Sequence, residues 1–408
     1  MQQKKIEITR LNHTGEGIGT LDNKIVFVTK AIPGDVIIPS KLNDCGNYFK
    51  TTIKDLETPS KDRIQIKCPY YDKCGGCQLL GLGYSKQLSY KQEKVKNILE
   101  KYAGIQVTPE IISGEEFLYR NKITLQVQNG TIGLYEVDSN TLVPINSCLL
   151  VSDSINEIIL WLTETLKSEE LKDVKQIMLR KANNQIMLQF LGRIDLKDKI
   201  DILSTKVSSI FINDTLIKGS YQIEEQLGKY KFGISPSSFF QVNHHQTVAL
   251  YDQVKEYLGK NHNHILDLYC GTGTIGIYVS ENCQKVTGIE INASSVRDAK
   301  SNVKKNSLKN IKIIQGKVED HLKAGKQYDA IIVDPPRSGL DKKTKRILQT
   351  IKSPKIIYIS CNPVTLARDI KDLEQEYKLE KIKLVDMFPN TYHVESVVSL
   401  TLKETIFI

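Results

Sequence analysis

The sequence contains no long apolar run. No segment approaches the length of apolar chain that spans a bilayer, so we expect no association with a membrane. The first residues, MQQKKIEITRLNHTGEG, also lack the apolar core of a signal peptide. These two absences predict a cytoplasmic protein.

Cysteine is scarce. The 408 residues include eight cysteines, and three of them cluster between positions 68 and 77. Such uneven spacing argues against the disulfide framework of an extracellular protein. In a reducing compartment, a cluster of this kind more often binds a metal or takes part in catalysis.

Internal repeats and low-complexity tracts are absent as well. A chain of 408 residues exceeds what one hydrophobic core usually spans, so we expect two or three domains.

The 56 Lys and Arg residues outnumber the 47 Asp and Glu residues, which gives a net charge of +9. This balance suits a polyanionic partner, and it is equally compatible with a lysine-rich surface that binds nothing.

Residues 1–57 alternate apolar and polar positions between turn signals such as Gly15-Glu16-Gly17 and Pro33-Gly34-Asp35, which predicts a small β-rich module. The stretch IEITRLNHTGEGIGTLDNKIVFVTKAIPGDVI resembles a TRAM domain, a small OB-like barrel found on RNA-modifying enzymes. Barrels of this kind bind nucleic acid on an open strand face. The alternative is a structural barrel without a ligand.

The cysteine cluster has the spacing C-x5-C-x2-C, formed by Cys68, Cys74 and Cys77. Two glycines before the third cysteine let the backbone wrap tightly, so three thiolates could hold one metal centre with a fourth ligand. We expect that ligand to be Cys148, with Cys45 as the second choice because it lies in a turn of the barrel module. Cysteine ligation permits zinc or iron–sulfur, and spacing does not separate them.

A helical pattern follows from about Leu79 to Ala103, with lysines at positions 86, 91, 94 and 96 on its polar side. Runs of this kind usually form a solvated face, and contact with RNA is the minority interpretation. Residues 120–235 predict mixed strands and helices, with turns at Gly130 and at Asn183-Asn184. This central region indicates no chemistry by itself.

From His264 onward, strands and helices alternate, which predicts a mostly parallel, doubly wound sheet. The last two stretches, KIKLVDMF and SVVSLTLK, predict a closing antiparallel hairpin. Within this region, Gly271, Gly273 and Gly276 form G-x-G-x-x-G directly after a strand, and Glu290 follows at the distance expected of a carboxylate that binds ribose hydroxyls. A nucleoside-bearing cofactor is therefore expected.

The glycine spacing alone would also suit NAD. Two features favour S-adenosylmethionine. The sequence has no second nucleotide-binding half, and the fourth strand of the series ends in Asp334-Pro335-Pro336-Arg337, where the prolines hold a polar acceptor rigidly beside the cofactor. A stiff turn without a functional role is the alternative for this motif.

The stretch IIYISCNPVTL, residues 356–366, predicts a buried strand that delivers Cys361 to a proline-restricted turn. At such a junction the cysteine would lie on the carboxyl edge of the sheet, where α/β folds bind ligands. The alternative is an inert, buried small side chain. The motif alone does not decide between them.

In order, the glycine loop, DPPRSGL, SCNPVTLARD and FPNTYHVESVVSL resemble the RNA uracil-5 methyltransferases that use S-adenosylmethionine. The barrel module and the cysteine motif resemble the members that carry a [4Fe–4S] cluster, many of which act on 23S ribosomal RNA. The resemblance implies a multidomain α/β protein: a TRAM-like β-barrel at 1–57, a central α+β domain with the cluster at 58–235, and a Rossmann-like methyltransferase domain at 236–408. It also implies that a helix at about 79–112 packs on the catalytic domain.

Residue by residue, the resemblance implies that Cys361 is the nucleophile and Glu395 the general base. The implied cofactor-binding residues are Gln241, Tyr269, Gly271, Glu290 and Asp334. The implied cluster ligands are Cys68, Cys74, Cys77 and Cys148, with zinc as the alternative to iron–sulfur. We further expect Arg337 to orient the uracil, and we expect a monomer acting on 23S rRNA, with a tRNA uridine as the alternative.

This chemistry requires a thiolate and a base. Uracil C5 is a weak nucleophile until a thiolate adds to C6, and the C5 proton must leave before the thiolate is released. Three other functions are considered. In a cytosine-5 methyltransferase the nucleophile usually lies in another context than Ser360-Cys361-Asn362-Pro363. The others are an RNA-binding protein with a decayed methyltransferase domain and an NAD-dependent enzyme.

Overall fold

The N-terminal residues form strands, as their alternation predicts. A computed structural model describes residues 4–322 and 327–404, and within them this region contains β1 (Ile6–Glu7), β2 (Arg10–Leu11), β3 (Gly17–Leu21), β4 (Lys24–Thr29), β5 (Val36–Pro39), β6 (Asn43–Asp44) and β7 (Tyr48–Thr58). The strands pair in the order β1-β5-β7-β4-β3-β2, with β6 beside β7. Their small core contains Ile6, Ile8, Val26, Val28 and Ile37.

Two buried charges fix this N-terminal unit to the chain that follows. The fully buried Asp35 carboxylate accepts hydrogen bonds from Arg63 Nε at 2.8 Å and Arg63 Nη2 at 2.6 Å. Lys30 Nζ donates to the carbonyl oxygens of Tyr71 and Cys74, which lie in the cysteine-rich segment. The unit is therefore held by polar contacts as well as by its own core.

The helix predicted at about 79–112 is shorter than expected. Helix α1 (Tyr84–Ala103) ends at Gly104, whose φ of 70° is the left-handed conformation that terminates many helices. The residues beyond it include a strand, β8 (Glu110–Ile112), which pairs in parallel with residues 383–385 at the edge of the C-terminal sheet. The apolar face of α1 packs on the C-terminal domain through Val95, Ile98, Leu99 and Ala103.

The central region is a sheet with helices on it. Its elements are β9 (Lys122–Gln128), β10 (Thr131–Tyr135), β11 (Leu142–Pro144), α2 (Asp153–Thr165), α3 (Ser168–Leu171), β12 (Val174–Ala182), β13 (Gln185–Gly192), α4 (Ile200–Lys206), β14 (Ser209–Ile212) and β15 (Thr215–Gly219). The strand order is β11-β10-β9-β12-β13-β14-β15. Asn129 and Gly130 both have positive φ, at 50° and 72°, which is the two-residue hairpin turn that the Asn-Gly pair predicts.

A separate hairpin connects this sheet to the C-terminal domain. It consists of β16 (Ile223–Leu227) and β17 (Tyr230–Ile234), paired antiparallel. Its apolar residues share one core with Met187 and Phe211 of the central sheet and with Ile265 and Ile277 of the C-terminal domain. The central and C-terminal regions are therefore packed together rather than joined by a free linker.

The C-terminal domain contains the predicted parallel sheet. Its elements are α5 (His244–Leu258), β18 (His262–Leu268), α6 (Thr274–Tyr278), a 3-10 turn (Ser280–Asn282), β19 (Cys283–Glu290), α7 (Ala293–Lys305), β20 (Ile311–Gln315), α8 (Val318–His321), β21 (Ala330–Val333), α9 (Lys342–Ile351), β22 (Lys355–Ser360), α10 (Pro363–Leu373), β23 (Tyr377–Val385) and β24 (Glu395–Leu402). The strand order is β20-β19-β18-β21-β22-β24-β23-β8.

The central strands of this sheet are buried on both faces. Residues 330–333 of β21 and 356–359 of β22 have no exposed surface, which explains their continuous β-branched and aromatic sequence. Strands β18 to β22 run parallel, whereas β24 runs antiparallel to β22 and lies between β22 and β23.

Among the described residues, no helix is both long enough and apolar enough to cross a membrane.

Candidate active site

The predicted site residues meet at one edge of the C-terminal sheet. The carboxyl ends of parallel strands lie at the same edge, and here β18, β19, β21 and β22 end at or just before Tyr269, Glu290, Asp334 and Cys361. Strand β24 runs the opposite way, so it begins where β22 ends, and Ser360 pairs with Ser396. Glu395, the first residue of β24, is thereby placed at the same edge.

The glycine loop after β18 adopts the conformation that its glycines permit. Gly271 and Gly273 have φ values of 53° and 78°, and Tyr269 has φ of 61°. The Glu290 carboxylate accepts hydrogen bonds from the backbone N–H of Gly271 at 3.0 Å and of Asn292 at 2.7 Å. Glu290 therefore fixes the loop, and its oxygens can accept further bonds from ribose hydroxyls.

A second carboxylate, Asp267, lies under the same loop. Its side chain is buried, and Oδ2 accepts a hydrogen bond from the Gly276 N–H at 2.9 Å, whereas Oδ1 has no partner among the described residues. The pKa of Asp267 is raised to about 8, mainly by burial and in smaller part by the neighbouring Asp334 and Glu290. A buried acceptor without a partner fits a site that a bound cofactor completes.

Asp267 was not among the residues predicted for the site. The sequence signal was its position at the end of a strand, four residues before Gly271. Position alone did not show that the carboxylate is buried beneath the loop, because that depends on the tertiary fold.

Gln241 and Tyr269 are also predicted cofactor residues, and Tyr269 directly follows β18 at this edge. Gln241 is buried, and its backbone carbonyl oxygen accepts a hydrogen bond from Asn121 Nδ2 at 3.2 Å. The Tyr269 hydroxyl lies 3.4 Å from Asp341 Oδ2, at the start of α9. Burial raises the pKa of Tyr269 to about 12, so this ring is neutral at physiological pH.

The candidate nucleophile lies between a strand and a helix. Cys361 follows β22 directly, and Asn362 caps α10 by accepting the Val364 N–H at 3.1 Å, with Pro363 in the first turn. The expected proline-restricted turn is thus a helix start. Asn362 Nδ2 also donates to the Arg337 carbonyl at 3.0 Å, which holds the Arg337 loop against Cys361.

The pKa values of Cys361 and Glu395 depend on two neighbouring charged residues, Asp334 and Arg337. Burial raises the pKa of Glu395 to about 8, Asp334 adds to this increase and Arg337 opposes it. Burial also raises the pKa of the Cys361 thiol to about 11, with Glu395 and Asp334 adding and Arg337 opposing. The pKa of Asp334 is raised by burial to about 7. The structure therefore brings Cys361, Glu395, Asp334 and Arg337 together in one electrostatic cluster.

His393 also lies near this cluster, although no role was predicted for it. The pKa of His393 is lowered to about 4, mainly by burial and in smaller part by the positive charges of Arg337 and Lys94. Its ring lies 4.2 Å from the Tyr392 ring, centroid to centroid. The imidazole is therefore neutral near pH 7 and adds no charge to the site.

The four predicted cluster cysteines line a cavity of about 380 Å³ between the cysteine-rich segment and the central sheet. It is lined by Cys68, Cys74, Cys77 and Cys148, and by Arg120. Cys45, the second choice, lies exposed in the N-terminal unit. In the part of the chain that the structure describes, no three His, Cys, Asp or Glu side chains lie close enough to hold a single metal ion.

The model of the tRNA (uracil-5-)-methyltransferase family matches residues 83–403. The chain belongs to this family. It is 34% identical to a Clostridium tetani protein described as an uncharacterized RNA methyltransferase, covering 97% of this chain and 95% of that protein. A Bacillus anthracis protein of the same description is 33% identical, covering 98% and 96%.

A solved structure supports the same assignment. The Pyrococcus abyssi tRNA (uracil-54, C5)-methyltransferase, in complex with S-adenosyl-L-homocysteine, is 29% identical and superposes with a TM-score of 0.80, covering 98% of this chain and 100% of that one. The protein is therefore an S-adenosylmethionine-dependent RNA (uracil-5-)-methyltransferase, and its substrate is RNA.

From the raised pKa of Glu395 we predict how the free energy of unfolding of this RNA (uracil-5-)-methyltransferase depends on pH. A buried carboxyl whose folded pKa exceeds its unfolded value loses stabilisation as pH rises from about 4.5 through about 8. Glu395→Gln, which stays neutral, should therefore be more stable than the wild type above pH 8, by about 2 to 4 kcal/mol.

Urea unfolding followed by circular dichroism would measure this difference, which should shrink towards zero near pH 4. The exposed Glu157→Gln provides the control and should show no such pH dependence. Equal stability of wild type and Glu395→Gln at high pH would contradict the burial argument.

Proposed function

We propose that the enzyme methylates C5 of a uridine in RNA through a covalent bond between Cys361 and C6 of the base. The observation that supports this proposal is the meeting of a thiol and a buried carboxyl at one sheet edge, beside the glycine loop. Cys361 directly follows β22, and Glu395 begins the antiparallel β24. Glu395 raises the pKa of Cys361, and Asp334 and Arg337 act on the pKa values of both residues.

The thiol carries out the first step. In its thiolate form, Cys361 adds to C6, and the electron pair of the C5–C6 bond moves towards the carbonyl oxygen to form an enolate. When bound, S-adenosylmethionine would supply an electrophilic methyl group. As C5 of the enolate forms the new bond to this methyl carbon, the methyl–sulfur bond breaks and S-adenosylhomocysteine is left. We propose that the cofactor is held by Gln241, Tyr269, Gly271, Glu290 and Asp334.

The carboxylate carries out the last step. Glu395 removes the proton from C5, the C5–C6 double bond re-forms and the Cys361 thiolate leaves. A pKa of about 8 suits a base that must accept a proton near neutral pH. We propose that Arg337, which opposes the raised pKa values of both residues, orients the uracil and stabilises the enolate charge.

Two substitutions should separate these steps. Cys361→Ala should abolish both turnover and covalent RNA–protein adducts, because no thiolate can add to C6. Glu395→Gln should instead accumulate an adduct that already carries the methyl group, because elimination is blocked after transfer. Gel electrophoresis with S-adenosylmethionine labelled in the methyl group would detect the adduct.

The alanine variant is the control for the glutamine variant, since it should show neither label nor adduct. Normal turnover by Glu395→Gln would rule out this residue as the base.

For the RNA target, we propose 23S rRNA. The support is the combination of an N-terminal β-rich unit with the cysteine motif, which resembles the ribosomal members of the family. A tRNA uridine is the second candidate, favoured by the Pyrococcus abyssi enzyme, which acts on uracil 54 of tRNA. We propose that the N-terminal unit and the central sheet hold the RNA around the target base, which must leave any helical stack.

Mapping 5-methyluridine in cells that lack this protein should identify the target. The modification should disappear from 23S rRNA and persist in tRNA, and expression of the intact protein, but not of Cys361→Ala, should restore it. Loss confined to tRNA would reject the ribosomal assignment while leaving the chemistry unchanged.

We propose that Cys68, Cys74, Cys77 and Cys148 hold a [4Fe–4S] cluster. All four line one cavity, and thiolates are the ligands of such clusters. Zinc held by the same four thiolates is the alternative. Because methyl transfer moves no net electrons, the cluster would serve the fold.

Anaerobically purified protein should be brown and contain iron and sulfide, and Cys148→Ala should lose both. Because the role is structural, thermal stability should fall together with the iron content. Zinc in place of iron, or full iron content in Cys148→Ala, would contradict this proposal. Lys101→Met, an exposed change outside the cavity, is the control.

A further inference from the structure

One polar face of α1 is turned inward, towards the connection between β23 and β24. We call residues 386–393 of this connection the base loop, because it leads into Glu395. Gln87, Lys91 and Lys94 lie at helical spacings of four and three residues, which places them on one side of α1. Gln87 and Lys91 have no exposed surface.

The first anchor is a buried ion pair. Lys91 Nζ donates to Asp386 Oδ1 at 2.5 Å and to the Phe388 carbonyl at 3.0 Å, and both charged side chains are fully buried. The Tyr84 hydroxyl donates to the other Asp386 oxygen at 3.0 Å. The start of the base loop is thus held by two residues of α1.

The second and third anchors lie further along the loop. Gln87 Nε2 donates to Asn390 Oδ1 at 3.0 Å, and the Asn390 N–H donates back to Gln87 Oε1 at 2.9 Å. Asn390 has φ of 67°, a left-handed conformation that this reciprocal pair secures. Lys94 Nζ donates to the Tyr392 carbonyl at 2.8 Å.

Stability alone does not explain the buried ion pair between Lys91 and Asp386, because burying both charges costs free energy of hydration. A buried ion pair loses several kcal/mol of hydration per charge, and well-packed apolar residues of similar volume often stabilise a protein equally well or better. The contacts do, however, hold the path of the loop, since the carbonyls of Phe388 and Tyr392 accept hydrogen bonds from Lys91 and Lys94. The loop in turn determines where β24 begins, and Glu395 is its first residue.

We propose that α1 positions Glu395 for removal of the C5 proton, through Gln87, Lys91 and Lys94. The inference rests on the proposed role of Glu395 as general base. These three residues are positioning residues, because their contacts are with the base loop and not with the reacting atoms.

The double variant Lys91→Met/Asp386→Asn tests this proposal. It removes both buried charges and retains an amide oxygen that can accept the Tyr84 hydroxyl. Turnover should fall about tenfold to a hundredfold, as expected when a catalytic group is displaced by about 1 Å. The variant should also accumulate the methylated covalent adduct, because elimination is slowed more than methyl transfer.

The assay uses the full-length protein, RNA from cells lacking the enzyme and methyl-labelled S-adenosylmethionine. A loss of structure would weaken cofactor binding and would not trap the methylated adduct. The dissociation constant for S-adenosylmethionine should therefore stay within about twofold of wild type, since α1 contacts the base loop rather than the glycine loop. Gln87→Met removes the second anchor without leaving a buried charge, and it should show the same signature if the double variant does not fold.

Lys101→Met, on the exposed end of the same helix, is the matched control and should behave as wild type. If Glu395→Gln traps the adduct while folded Lys91→Met/Asp386→Asn and Gln87→Met turn over normally, the positioning role is wrong and the base assignment stands. If Glu395→Gln traps nothing, the base assignment and the positioning role fail together.

Discussion

The site depends on one topological constraint, the insertion of antiparallel β24 between β22 and β23. A parallel strand places only its last residues, and those that follow it, at the carboxyl edge of the sheet. Four parallel strands place residues there in this domain: β18, β19, β21 and β22. A strand of opposite direction brings its first residue to the same edge, so Glu395 lies beside the end of β22 although it is separated from Cys361 by a helix and a strand. If β24 ran parallel to β22, its first residue, Glu395, would lie at the opposite edge of the sheet from Cys361.

The same edge concentrates buried carboxyl groups. Asp267, Asp334 and Glu395 all have raised pKa values, because burial disfavours their charged forms, and Asp334 adds to the shifts of the other two. Such an arrangement destabilises the free protein near neutral pH. Arg337 offsets part of that cost, and the positive sulfonium of the family's cofactor would offset more. The electrostatics therefore fit a site that is complete only when it binds its ligands.

Much of the fold could be predicted from local patterns. The β-branched run before Cys361, the glycine spacing after β18 and the Asn-Gly turn each depend on neighbours in sequence, and the structure contains all three features. The polar side of α1 could not be predicted in this way. Lysines at helical spacing indicate a solvated face, yet Lys91 is fully buried, because Asp386 lies almost three hundred residues away in sequence and only the tertiary fold pairs them.

The cysteine cavity and the active site share a short segment of chain. Arg120 lines the cavity, and its neighbours on either side reach the catalytic domain: the Tyr119 hydroxyl donates to the Pro389 carbonyl at 3.0 Å, and the Asn121 N–H donates to the Val242 carbonyl at 2.8 Å. Pro389 belongs to the base loop, and Val242 follows Gln241. A shift of residues 119–121 would therefore move the base loop and the segment that contains Gln241 and Val242 together. Residues 119–121 thus connect the cysteine cavity to the base loop and to the segment that contains Gln241.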